Sequence, residues 1–158
     1  MPTKGVGPFL QVVQVANPAA GAEFTLKAPG QGIWRVMSLA FTLVTSAVVA
    51  NRRVALLADD QTDVWFAAAT TVDLTATLTT RVGAYQGAAS TGLAGSVLNV
   101  PLPNDGLVLM PGYRLRTSTL NIDAGDQYSA IRAEVIEYPE GPDFEWLPGV
   151  FTQVSEMG

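Results

Sequence analysis

The alternation of apolar and polar positions carries most of the structural information in this chain. From Trp34, the residues Trp34, Val36, Ser38, Ala40 and Thr42 alternate with Arg35, Met37, Leu39, Phe41 and Leu43. That period of two belongs to a strand with one large apolar face and one mixed face. The surrounding segment, WRVMSLAFTLVTSAVVANRRVALLADD from Trp34 to Asp60, is the most hydrophobic long stretch of the protein, yet it carries Arg52 and Arg53 side by side. A membrane-spanning helix wants about 20 apolar residues with few interruptions. Here Ser38, Thr42, Thr45 and Ser46 recur, and Asn51, Arg52 and Arg53 close the run. Val, Thr, Phe and Trp also disfavour helix, and Gly30 and Gly32 precede the segment without supplying a good cap. The expectation is two strands joined by a turn near Ala47 to Asn51, with the arginines at the start of the return strand.

The same grammar recurs elsewhere. Short β-rich runs at Phe9 to Val15, Glu23 to Ala28, Val64 to Ala69, Leu74 to Val82, Val97 to Leu102, Leu107 to Met110, Tyr113 to Thr119 and Gln127 to Tyr138 are separated by Gly, Pro, Asn and Asp clusters. About eight to nine short strands at this spacing predict an all-β sandwich or barrel. Trp34 and Trp65 lie in apolar strands and are expected to fill its core. The segment Gly83 to Ser96, GAYQGAASTGLAGS, reads as a long small-residue surface loop, in which Tyr85 is the aromatic expected to be exposed. Nothing in the composition divides the chain, so residues 1–138 are expected to form one sandwich domain, with 1–8 as an N-terminal arm and 139–158 as a C-terminal arm.

Composition narrows the chemistry. The 158 residues include neither cysteine nor histidine, which removes disulfides, thiolate metal sites, the commonest general base and the commonest transition-metal ligand. Net charge is −5, which argues against sequence-independent nucleic-acid binding. The N-terminal MPTKGVGPFLQVVQV lacks the continuous apolar region of a signal peptide, so the protein is expected to stay where it is made.

Candidate chemical groups each have a plainer explanation. Asp59, Asp60 and Asp63 in ADDQTD could gather oxygens for a hard cation, but neither the glycine nor the closing glutamate of a calcium loop follows. Asp123 and Asp126 flank Gly125 as turn residues do. Glu134 and Glu137 fall on opposite faces of a strand, unlike the paired carboxylates of a glycosidase. A serine–lysine pair would have to use Lys4 or Lys27, the only lysines. Arg114 and Arg116 share a face and read as a solvated or partner-facing stripe. No nucleophile elbow and no phosphate-cradling loop is found. The expectation is a protein that is not an enzyme, with no cofactor, no metal and no small-molecule substrate, and with neither membrane nor nucleic acid as partner.

The C-terminal segment stands apart. Nine basic and eight acidic residues precede Glu134, whereas six acidic residues and no basic one lie from Glu134 onward. In YPEGPDFEWLPGVFTQVSEMG the prolines and glycines end the strand, yet Phe144, Trp146, Leu147 and Phe151 are large apolar groups. They are expected to anchor the arm on a neighbouring subunit, with the acids facing basic groups, the alternative being that the arm folds back on its own sandwich; Tyr85 is a further candidate for partner contact.

The run PAAGAEFTLKAPGQGIWRVMSLAFTLVTSAVVANRRVALLADD, Pro18 to Asp60, resembles a pattern found in structural proteins of tailed-bacteriophage virions: a turn, a tryptophan-led strand, then FTLVTSAVVANR and a returning apolar strand. LVLMPGYRLRTSTLNIDAGDQYSAIRAEVIEY, Leu107 to Tyr138, resembles the closing strands of jelly-roll virion proteins. The resemblance implies an antiparallel jelly-roll-like sandwich that decorates or cements a capsid, or serves as a minor head or tail component. Its implied partners are further copies of itself, as a homotrimer, and a major capsid or other virion protein, with the virion as its location. The alternative is a tail- or fibre-associated module that recognises glycan or protein. Removal of residues 140–158 is expected to lower the solution mass or the melting temperature, readable by light scattering and thermal unfolding of the shortened chain.

Overall fold

The structure, a computed structural model, describes residues 7–139. The N-terminal arm up to residue 6 and the C-terminal arm from residue 140, with Phe144, Trp146, Leu147 and Phe151, lie outside the described residues. The described chain is all-β, with strands β1 (Phe9–Val15), β2 (Thr25–Lys27), β3 (Ile33–Val44), β4 (Arg53–Asp59), β5 (Val64–Ala69), β6 (Thr79–Gln86), β7 (Thr91–Gly92), β8 (Val97–Leu102), β9 (Leu107–Leu109), β10 (Arg114–Leu120) and β11 (Gln127–Tyr138).

They form two sheets. The larger runs β1-β11-β3-β6-β8-β7, with β9 also paired to β3, and the smaller runs β2-β10-β4-β5. The chain crosses between sheets from β1 to β2, β2 to β3, β3 to β4, β5 to β6, β9 to β10 and β10 to β11. These two interleaved four-stranded sets make the eight-stranded jelly roll. Strands β7, β8 and β9 are additions within the connection from β6 to β10. The total of eleven strands exceeds the expected eight to nine, and the segment read as a long loop holds the end of β6 and all of β7. The β6–β8 pair is parallel, a departure from the expected antiparallel pairing. Gly92 in β7 has φ +136°, and an added Cβ would lie 2.2 Å from the Val97 carbonyl oxygen, so only glycine allows this pairing.

Bulges correct the simple alternation. Ser38 pairs with Glu134 and Val36 with Val135, which leaves Met37 as an extra residue in β3. The phase flips there: Trp34 and Val36 point inward before it, and Leu39, Phe41 and Leu43 point inward after it. Both halves of β3 therefore serve the core, where strict alternation put Trp34 and Leu39 on opposite faces. A second bulge puts Ala130 of β11 at φ +51°. A third, in β5, leaves Trp65 without a partner across the ladder and 47 % exposed, so Trp65 is a surface residue and not the expected core filler. The expected strand Leu74 to Val82 also starts late. Leu74 makes only an isolated bridge to Arg52, and Thr77 at φ +58° turns the chain before β6 begins at Thr79.

The sheets close on Phe24, Phe41 and Tyr128, whose rings meet edge to face with centroids 5.0–5.5 Å apart. The Tyr128 hydroxyl shares a 2.5 Å hydrogen bond with Thr119 Oγ1, and the Glu23 carboxylate accepts from the Thr119 amide and hydroxyl at 2.6 and 3.0 Å. Burial pushes the Tyr128 phenol well above its ordinary pKa, so it remains a neutral donor.

The paired arginines separate in role. Arg53 opens β4 on the surface and pairs with Asp73. Arg52 is fully buried against Asp126, Nε to Oδ2 at 2.9 Å, with both side chains at 0 % exposure. Its other nitrogens donate to the carbonyls of Val48 and Ala50 and to Ser46 Oγ. Asp126 also accepts from the amides of Ser46 and Asp123. Burial opposes ionisation of Asp126, but these amides and the Arg52 guanidinium outweigh it and hold the pKa below the usual carboxylate value. Arg52→Leu leaves Asp126 buried without its partner and is expected to cost about 3–5 kcal/mol. Arg53→Leu should cost less than about 1 kcal/mol. Urea unfolding of both variants beside the wild type checks the contrast.

Candidate functional site

The outward side of the larger sheet is laid out in rows by the ladder register. One row crosses Leu10, Ile136, Arg35 and Val108. The next crosses Val12, Glu134, Ser38, Tyr85 and Pro101, and a third crosses Gln14, Arg132, Ala40, Gly83 and Asn99. A fourth contains Thr42, Arg81 and Val97. Period-two patterning places these residues outside, because their neighbours in each strand supply the core.

The two ends of this face differ. Toward β1, Leu10 is 66 % and Val12 59 % exposed. Arg35 lies over the Tyr138 ring, 5.6 Å from its centroid, which fits a cation–π contact. In the third and fourth rows the small residues Ala40 and Gly83 floor a shallow depression of about 430 Å³, with Arg81 and Arg132 on its two sides. The Ala130 bulge adjoins it.

Tyr85 lies in β6, not in a loop, and its ring is 43 % exposed in the second row. The acidic residues go elsewhere. The Asp59 carboxylate, on the smaller sheet, is held by Arg114 Nε at 2.5 Å and Arg116 Nε at 2.7 Å, so the arginines expected as a solvated or partner-facing stripe form a clamp on a buried carboxylate. Asp60 accepts from the amides of Thr62 and Asp63 and shapes the turn. With Asp59 bound to arginine, the three aspartates do not converge on a cation, and no metal-ligating cluster occurs among the described residues. Asp123 bonds Ser46 Oγ and the Gly125 amide. Glu134 accepts from Ser38 on the outer face, and Glu137 accepts from Gln11. Lys27 pairs across β2 and β10 with Arg114, and Lys4 lies outside the described residues.

Comparison of the chain with protein-family models, with curated proteins and with solved structures yields no match. Arg81, Arg132 and Gly83 escaped the sequence reading, because their assembly depends on strands far apart in the chain.

Burial raises the Asp59 pKa, but the hydrogen bonds from Arg114 and Arg116 and from the Gln61 amide more than offset it and hold it at about 2. Since the folded value lies below the unfolded one, the stabilisation is complete above about pH 4 and is lost as pH falls through about 2. The shift corresponds to about 2 kcal/mol. Urea unfolding at pH 7, 4 and 2.5 should find Asp59→Asn less stable than wild type by about that amount at pH 7, with the difference shrinking toward pH 2.5.

Proposed function

We propose that the protein is a non-enzymatic structural subunit of a phage-type virion, a decoration or cement protein that associates with further copies of itself on the shell. The observation that carries this reading is the unguarded edge of the larger sheet. Strand β1, FLQVVQV, is an edge strand of seven residues without a single charge, and it presents Leu10 and Val12 to solvent. Edge strands of monomers are ordinarily blunted by lysine, proline or inward-pointing charge, because their free backbone groups invite pairing with another chain. The edge of the smaller sheet, β5 with VWFAAA, is equally uncharged and exposes Trp65.

The adjoining face fits a contact between subunits. It offers Tyr85, Val97 and Val108 together with arginines, and it contains no lysine among the described residues; aromatic residues and arginine are enriched at interfaces and lysine is depleted. The jelly roll itself favours no activity, since one fold hosts many functions. Exposure of Tyr85 also supports the second reading, a tail- or fibre-associated binding module, in which Tyr85→Ala would abolish binding of a glycan or protein without unfolding the chain.

Light scattering of the full chain over a range of concentrations tests the assembly reading. The wild type should be a trimer or larger, and Leu10→Lys with Val12→Lys should shift it toward monomer while the melting temperature holds. A wild type that stays monomeric at every concentration would count against the subunit reading.

A further inference from the structure

Arg81 and Arg132 stand exposed on either side of β3 in adjoining rows, two strand spacings across and two residues along, or about 12 Å apart. Every other arginine of the chain is engaged: Arg35 over Tyr138, Arg52 with Asp126, Arg53 with Asp73, and Arg114 and Arg116 with Asp59. Arg81 and Arg132 have no ion-pair partner among the described residues. Beside them, in the strand of Arg81 and the row of Arg132, Gly83 leaves the floor bare. Its φ is not positive, and an added Cβ would meet nothing closer than Asn99 Oδ1 at 3.8 Å, so neither backbone conformation nor packing demands glycine there. A glycine inside a strand weakens it, and often marks a place where another chain comes close.

We infer that this trough receives the segment Asp143 to Leu147 of a neighbouring copy. The inference rests on the reading of the protein as a self-associating subunit, and it names the surface through which copies exchange their C-terminal segments. Charge complementarity carries the assignment: from residue 140 to the end, the chain holds Glu140, Asp143, Glu145 and Glu156 and no basic residue. Asp143 and Glu145 are two residues apart, so in an extended segment both carboxylates face one side, toward Arg132 and Arg81. Carboxylate–guanidinium contacts are charge-assisted and directional, and the small residues Ala40 and Gly83 let the backbone of the segment approach the sheet.

The absence of cysteine makes disulfide trapping clean. Two full-length proteins, Thr42→Cys and Pro142→Cys, are mixed and oxidised, with Thr42 chosen because it lines the trough without a side-chain role in the core and Pro142 because it adjoins the segment without carrying charge. The expected result is a disulfide-linked dimer containing one copy of each protein. Its yield should fall about tenfold or more when the Thr42→Cys protein also carries Arg81→Glu with Arg132→Glu, as loss of two charge-assisted contacts implies. Gly83→Val, which fills the floor, should act likewise without lowering the melting temperature.

Light scattering of the wild type separates the two layers. An oligomeric wild type with no mixed dimer overturns the docking and leaves the subunit reading standing. Mixed-dimer yield unchanged in the arginine and Gly83→Val variants overturns it as well. A single chain carrying both cysteines that closes only on itself overturns the exchange between copies. A monomeric wild type without mixed dimer removes the docking and the subunit reading together.

Discussion

The buried pair of Arg52 and Asp126 is the constraint on which the arrangement of the two sheets depends. Arg52 sits at the end of the crossing from β3 to β4, and Asp126 at the end of the crossing from β10 to β11, so one contact ties two inter-sheet connections at the same end of the sandwich. Removing two charges from water costs several kcal/mol per ion, and mutual attraction repays that only when the remaining hydrogen-bonding groups are also satisfied. Here they are. The guanidinium donates to Asp126, Ser46, Val48 and Ala50, and the carboxylate gathers the amides of Ser46 and Asp123. The pair thus shapes both loops as well as joining them, and it pins the open ends of β3 and β11, whose ladder is the longest in the molecule.

That ladder is also where the sheet departs from regularity. The extra residue Met37 lets β3 place Trp34 and Val36 and then Leu39, Phe41 and Leu43 in one core, at the cost of regular pleating. The extra residue in β11, at Ala130, keeps Tyr128 and Ile131 both inside and leaves Arg132 outside. Bulges bend and twist the strand that holds them, and both face the trough side of the larger sheet. The same irregularity that fills the core therefore shapes the outer face, with Ala40 and Gly83 low and the arginines raised beside them.

The two faces of the sandwich handle their charges differently. On the smaller sheet Asp59 engages both Arg114 and Arg116. On the larger sheet Arg81 and Arg132 remain available, next to an edge strand that carries no charge. An uncharged edge and free cations on one surface, and an acidic, aromatic segment at the end of the same chain, are complementary features. They form the physical basis for reading the protein as a subunit, in place of a pocket with perturbed catalytic groups.

Much of the fold was legible in the chain. Strands β1, β5, β8 and β11 have the bounds that their period-two patterns and turn residues predict, because side-chain alternation and turn chemistry are local properties. The absence of helix among the described residues followed from β-branched and aromatic content in the same way. The pairing of Arg52 with Asp126, the clamp on Asp59, the exposed position of Trp65 and the phase flip at Met37 were not legible. Each depends on which strand lies alongside which, and partners such as Arg52 and Asp126 are separated by 74 residues. Arg52 and Arg53 are adjacent and chemically identical, yet one is buried and one is solvated. Sequence alone determined that this chain alternates, turns and builds sheets; only the tertiary structure decided which charges are spent inside and which remain on the surface, because that choice belongs to contacts between distant strands.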